Sequence, residues 1–459
     1  MDDQQGPLVE QLRKELDRLG QRVAELEARL IELEGENQQL RKELEAARRA
    51  AARQAAPFRR RERKKVPDGQ KKRPGRQPGH PGACRPVPEH VDEQVEVPLA
   101  ACPHCGGQVT GVTRLEQYIE ELPPVRPHVV KLLTYRGECA HCGKVFSTHP
   151  LQTSRGQGAA KVQFGPRALS LAACLNKQLG LTLGSTTQAL HAMAGLRITR
   201  GGLAQAIQRV ARKVRGLYDQ WQVRIRRSPA VYADETSWWV GGPGWWLWVF
   251  TTPEATLYRV DHSRGHEVVQ EMLGDDFPGV LVSDCLASYD PLPYRKHKCI
   301  AHHLRAIAEA RQRPDTPHPQ YLDQWKRFFL AVRVIAGARS GMPAEQYQAR
   351  CAALEQWCDR LLQDVGRQPG DQAIAQRLSK QRAHLLGCLY EPAVEPTNNR
   401  AERALRPAVI ARKLSCGNKT VRGRDAWEVL ASLGATCRQR AIDFVSYLLP
   451  HLSLVPAAS

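Results

Sequence analysis

Two aspartates stand where short apolar strands run out. Val231-Tyr232-Ala233 leads into Asp234, and Gly279-Val280-Leu281-Val282-Ser283 leads into Asp284. Carboxylates are hard oxygen donors, and Mg²⁺ is held by only a few of them. Two such ions about 3.5–4 Å apart clamp the attacking and leaving oxygens of an in-line phosphoryl transfer. Glu402, on a predicted helix, offers a third acid. From spacing alone it reads equally as a metal ligand or as the exposed partner of Arg406 one turn on. Glu235 is a rival to Asp234, but successive strand residues point to opposite faces, so only one of the two faces the site.

Cysteines supply a second candidate chemistry. Cys102-Pro103-His104-Cys105-Gly106 and Cys139-Ala140-His141-Cys142-Gly143 are near-copies of one knuckle. Four thiolates, Cys102, Cys105, Cys139 and Cys142, form a closed tetrahedral set for one structural Zn²⁺. A redox dithiol explains one CxxC but not two matched copies. His104 and His141 read as surface residues. The 33 residues between the pairs call for an intervening strand-rich lobe, with Val129 to Tyr135 as one strand. Cys299 and His302 form a CxxH that lacks two ligands, so packing plus a hydrogen bond is the better reading.

The elements that must position these residues follow from periodicity. Strands are expected at 231–234, 245–250 and 256–260, a helix from Ser263 to Leu273, and strands at 279–283 and 297–301 with a helix from His302. Three antiparallel strands, a helix, then strand, helix and strand is the order of an RNase H-like core. In that fold the first and fourth strands are neighbours, which brings their terminal acids within metal-bridging distance. The stretch 314–389, rich in Arg, Gln and Leu, reads as a helical insertion in the core. Of the crowded tryptophans Trp238, Trp239, Trp245, Trp246 and Trp248, most should pack, and an exposed one could stack on a base.

Upstream lie four further regions. Leu12, Leu19, Leu26, Leu33 and Leu40 occupy d positions, and Val9, Leu16, Val23, Leu30, Asn37 and Leu44 occupy a positions, of a five-heptad coiled coil within residues 1–50. The polar Asn37, with opposite-sign pairs Arg22–Glu27, Arg29–Glu34 and Glu36–Arg41, predicts a parallel homodimer. Residues 51–95 form a basic Gly/Pro-rich linker and 96–150 the zinc ribbon. In 151–226 a helix through Met193, a break at Gly195 and a helix from about Gly202 to Leu217 resemble a helix-turn-helix, although a plain helical hairpin fits as well. Its second helix carries Arg209 and Arg212, candidate DNA contacts. Arg406, Arg412 and Lys413 are further candidates.

Composition agrees with a polyanionic partner. Lys and Arg number 67 against 47 Asp and Glu, a net charge of +20, and basic side chains on phosphates release condensed counterions. Thirteen cysteines, an odd number, point to a reducing compartment. No apolar run spans a bilayer and the first residues are not a signal peptide, so the expected location is cytoplasmic.

The tracts Asp234-Glu235-Thr236, Asp284 with Tyr289, Cys299-Ile300-Ala301-His302 and Thr397-Asn398-Asn399-Arg400-Ala401-Glu402-Arg403-Ala404-Leu405-Arg406-Pro407 resemble those of the insertion-sequence-66 transposase family. The order of regions is also similar, over nearly the whole chain. The resemblance implies a DDE-type enzyme with Asp234, Asp284 and Glu402 as catalytic acids holding two Mg²⁺ (or Mn²⁺). It also implies strand cleavage and strand transfer on double-stranded DNA, at terminal inverted repeats and target, in a prokaryotic nucleoid with accessory transposition proteins. The expected fold class is a multidomain α+β chain with the core in 227–313 and 390–450. Two rivals remain: a non-catalytic dimeric DNA-binding regulator, and a nuclease that cuts without joining.

Overall fold

The computed structural model describes residues 18, 22, 25–27, 29–30, 32–40, 43, 85–154 and 162–454. The zipper positions Val9, Leu12, Leu16, Leu19, Val23 and Leu44, and linker residues 51–84, lie outside them. The described residues between 18 and 43 are helical, and Leu26, Leu30, Leu33 and Leu40 are all exposed.

The centre is a five-stranded mixed sheet. Its strands are β3 (Ala230–Trp238), β4 (Trp245–Thr251), β5 (Thr256–Asp261), β6 (Val280–Ser283) and β7 (Arg295–Lys298), in the order β5-β4-β3-β6-β7. β3, β4 and β5 pair antiparallel, while β6 lies parallel to β3 and β7 parallel to β6. The first and fourth strands of the sheet are therefore neighbours. Apolar residues fill both faces. Val231, Ala233 and Leu281 belong to one core and Ala230, Tyr232, Val280 and Val282 to the other.

Helices cover the sheet. On the first face lie α1 (Pro166–Ala173), α2 (Leu183–Ala194), α3 (Arg200–Lys213), α4 (Arg215–Arg226) and α5 (His266–Leu273). On the second lie α6 (Ile300–Ala310), α7 (Gln320–Gly337), α8 (Ala344–Gln363), α9 (Pro369–Lys380), α10 (Gly387–Tyr390) and α11 (Asn399–Ser415). α7 to α10 fall in the stretch read as an insertion. Trp325, Phe328 and Phe329 of α7 are fully buried and continuous with the core under Tyr232. α12 (Val421–Gln439) and α13 (Phe444–Leu448) close the chain.

The edge strand β5 is covered in an unusual way. Thr436, Ser432 and Glu428, four residues apart on α12, accept from the backbone amides of Thr256, Tyr258 and Val260, two residues apart on β5, at 3.1, 2.8 and 2.9 Å. Four helical residues advance about 6 Å and two strand residues about 6.8 Å, so the two spacings nearly match. The carbonyls of the same residues accept from Thr436, Tyr218 and Arg424. An exposed edge would be a pairing liability; here helix side chains satisfy it.

Several expected boundaries move. α5 starts at His266, not Ser263, because the Ser263 hydroxyl accepts from the Gly265 amide and holds the turn before the helix. A single 3₁₀ turn, Ala287–Tyr289, joins β6 to β7 in place of a helix. β7 ends at Lys298 and α6 begins at Ile300, since the Cys299 carbonyl already accepts from the His302 and His303 amides. The helix expected to run to Leu217 breaks at Val214 into α3 and α4. Between the cysteine pairs, Val129 to Tyr135 forms no strand. Val129, Val130, Leu133 and Tyr135 are exposed, and the hairpin is instead β1 (Arg136–Cys139) with β2 (Gly143–Phe146).

Candidate active site

The parallel register of β3 on β6 ends at the pair Tyr232–Val282. Asp234, within β3, and Asp284, the residue after β6, each lie two residues beyond that pair, where strands paired about 4.8 Å apart run out. Tyr232 and Val282 share the second-face core, so alternation places Asp234 on that face and Glu235 on the other. Asp234 accepts the Glu235 amide at 3.0 Å, and Asp284 accepts the Leu286 amide at 2.9 Å.

Glu402 reaches the same face from α11. Asn398, which precedes the helix and is fully buried, donates its side-chain amide to the Ala233 carbonyl at 2.7 Å, and its backbone amide meets the Cys299 sulfur at 3.1 Å. The Pro396 carbonyl accepts from the Ile300 amide, and the Tyr232 hydroxyl from the Glu395 amide. These bonds tie the start of α11 to β3 and α6. Glu402, one turn in, lies 3.9 Å from His302 Nε2 of α6. Its neighbour is thus across the site, not along its own helix.

The electrostatics are those of crowded carboxylates. Burial, then the charges of Glu235 and Asp284, and also that of Glu402, push the Asp234 carboxyl well above the usual carboxylate range. Burial lowers His302, against the raising charges of Asp284 and Glu402 and with the lowering charges of Arg305 and Arg377. The Glu235 side chain, 3 % exposed, accepts from Nε and Nη2 of Arg264, at 3.2 and 2.7 Å, and from the Tyr289 hydroxyl at 3.2 Å. It braces the turn after Asp284 from the opposite face. Spacing gave no sign of this, or of Asn398. Asp234, Asp284 and Glu402 are all partly exposed, so a substrate can reach them.

The basic candidates separate. Arg209, Arg212, Arg406 and Lys413 are exposed. Arg412 instead engages Thr236 and Ser237 at 3.1 and 3.0 Å, pinning α11 to the end of β3. Arg212 lines an open cleft of about 570 Å³ with Gln208, Arg215, Arg422 and Asp425. α2 and α3 are separated by Gly195 in the left-handed region and capped by Thr182 and Thr199. Trp238 and Trp248 are buried, and Trp239 is exposed.

The two cysteine knuckles share one geometry. Gly106 and Gly143 both adopt positive φ, +73° and +74°, which favours glycine. In each, backbone amides stabilise the first thiolate and lower its pKa: those of His104 and Cys105 for Cys102, and those of His141 and Cys142 for Cys139. Among the described residues, no three His, Cys, Asp or Glu side chains gather closely enough to hold a metal, either here or at the three acids.

Comparison with known proteins extends this picture. The profile described as the transposase IS66 family matches residues 161–426. The uncharacterized protein y4qI of Sinorhizobium fredii is 25% identical over 300 residues, covering 58% of this chain and 55% of that protein. The uncharacterized protein y4jD of the same organism is 24% identical over 408 residues, covering 81% of this chain and 78% of that protein. Among the described residues no helix is long and apolar enough to cross a membrane. The family match spans the sheet, both strand-end aspartates and the helix that carries Glu402: the chain belongs to the IS66 transposase family.

Proposed function

We propose that the chain cleaves DNA strands at the ends of an insertion sequence and joins them to target DNA, using an RNase H-like core in which Asp234, Asp284 and Glu402 are the catalytic acids. The observation that carries this reading is the equal register of Asp234 and Asp284 past Tyr232–Val282, with Glu402 brought to the same face by Asn398. Carboxylates are the donors that Mg²⁺ or Mn²⁺ takes, and a divalent cation bound at this sheet end would relieve their surplus charge by drawing the three acids together. Bound there, such ions would supply Lewis-acid stabilisation of the phosphoryl transfer.

The chain's own residues supply the frame. Asn398 holds α11 against β3, Glu235 holds the turn behind Asp284 through Tyr289, and Arg412 anchors the far end of α11. Arg209 and Arg212 of α3, with Arg406 and Lys413 of α11, are proposed to meet DNA phosphates. The paired knuckles are proposed to bind one structural Zn²⁺ once the Cys102 turn and the β1–β2 hairpin come together. The uncovered Leu26, Leu30, Leu33 and Leu40 support a parallel homodimer, since a lone helix gains nothing by exposing such a seam.

The test uses a plasmid carrying the coding frame with its natural flanking DNA. Asp234→Asn, Asp284→Asn and Glu402→Gln should each lose Mg²⁺- or Mn²⁺-dependent cleavage by at least about 10³-fold while duplex binding persists. Normal cleavage by all three would favour a DNA-binding regulator with a contaminating nuclease, and cleavage without joined product a nuclease.

A further inference from the structure

The helices between Asp284 and Glu402 do more than decorate the core. The C-terminal end of α9 is fastened to the loop that follows Asp284. Lys380 Nζ lies 3.4 Å from an Asp290 carboxylate oxygen, and Gln381 donates to Asp290 at 3.3 Å. Lys298, fully buried, reaches the same carboxylate at 3.5 Å. Arg377 stands three and four residues before Lys380 and Gln381, on the same side of α9. Ile374 and Leu378, buried on either side of it, fix that face inward.

Arg377 therefore arrives beside Cys285, the neighbour of Asp284. Its positive charge acts on Cys285 and on His302 and His303 of α6. Its Nε atom is buried without a hydrogen-bond partner. A buried guanidinium nitrogen left unmatched is costly; its place near Cys285, next in sequence to Asp284, and near His302, which faces Glu402, indicates what would match it. Lys298 is spent on Asp290, and Arg412 on β3.

We propose that Arg377 reaches from the inserted helices into the reaction site and grips the phosphate on which the three acids act. A planar guanidinium fork matches two non-bridging phosphate oxygens, which a lysine cannot do. The insertion would then complete the site, with substrate charge balanced from a segment outside the sheet. This rests on the proposed function, whose acids define where that phosphate lies.

The experiment compares the full-length parent, Arg377→Gln, Arg377→Lys and Asp284→Asn on the same flanking-DNA plasmid, and on duplex fragments of that flank across a salt series. Arg377→Gln should cleave about 10²- to 10³-fold more slowly. Its plot of log affinity against log salt should be flatter by about one, as for one lost phosphate contact, with melting unchanged. Arg377→Lys should keep the salt slope yet cleave at least about tenfold more slowly, because the charge remains and the fork is lost. A purely structural role would instead lower the melting temperature of Arg377→Gln and leave its slope parental. Parental slope together with cleavage within threefold of the parent overturns the proposal. Should Arg377→Gln be too unstable to assay, Arg377→Lys decides by the same cleavage limit. Should the parent itself fail to cleave, the proposed function fails, and the salt slopes still decide whether Arg377 meets a phosphate.

Discussion

Asn398 donates its side-chain amide to the carbonyl oxygen of Ala233 at 2.7 Å, one residue before Asp234. One bond thus sets the distance between the strand that ends in the first acid and the helix that carries the third. Phosphoryl transfer depends on such placement, since small misplacements of reacting groups cost orders of magnitude in rate.

Asn398→Ala should therefore damage chemistry beyond its effect on folding. Leaving the Ala233 carbonyl buried and unpaired costs about 1–3 kcal/mol. Cleavage should fall at least tenfold at temperatures where the variant remains folded, while duplex binding holds. Thermal melts alongside cleavage rates check this, and a variant that melts lower but cleaves like the parent would remove Asn398 from the site's framework.

The α12 ladder on β5 predicts a purely structural loss. Ser432→Ala strands the buried Tyr258 amide and should destabilise the chain by about 1–3 kcal/mol without changing the catalytic rate of the folded fraction. Denaturant unfolding reads the first quantity and single-turnover cleavage the second. A neutral effect on stability would mean that the β5 edge is satisfied by water.

His297 predicts the pH dependence of stability. Burial depresses its pKa from 6.5 to about 4. The unfolded chain binds this proton at a higher pH than the folded chain, so stability is whole above about pH 6.5. It falls as pH drops towards 4, by about 3 kcal/mol in all, and does not fall further on this account below 4. His297→Gln should flatten that stretch of the stability curve. Denaturation midpoints from pH 7 to 4 give the comparison, and parallel curves for parent and variant would assign the acid loss elsewhere.

The knuckles predict one zinc per chain, removed when Cys102 and Cys139 become Ser together. Four thiolate ligands close a structural site, and the backbone amides beside Cys102 and Cys139 favour the thiolate form of each. Elemental analysis decides the point, and a parent that carries no zinc would end the ribbon reading. The double variant should keep the melting transition of the sheet core, because the knuckle segment is exposed and apart from both cores.

The strand periods, the acids at their ends and the matched CxxC pairs were legible in the sequence, because alternation, short apolar runs and ligand spacing are local properties. Local pattern also put Asp234 and Glu235 on opposite faces. It misplaced what depends on competing partners. β7 gave up Cys299 because that residue's carbonyl and thiol serve α6 and Asn398, and Val129 to Tyr135 has strand-like residues but no neighbouring strand. The equal register of Asp234 and Asp284, the fastening of Glu402 through Asn398 and the approach of Arg377 to Cys285 join residues about 50 to 165 positions apart. Such contacts repay the entropy of long loops only within a finished fold, so tertiary structure alone decided them.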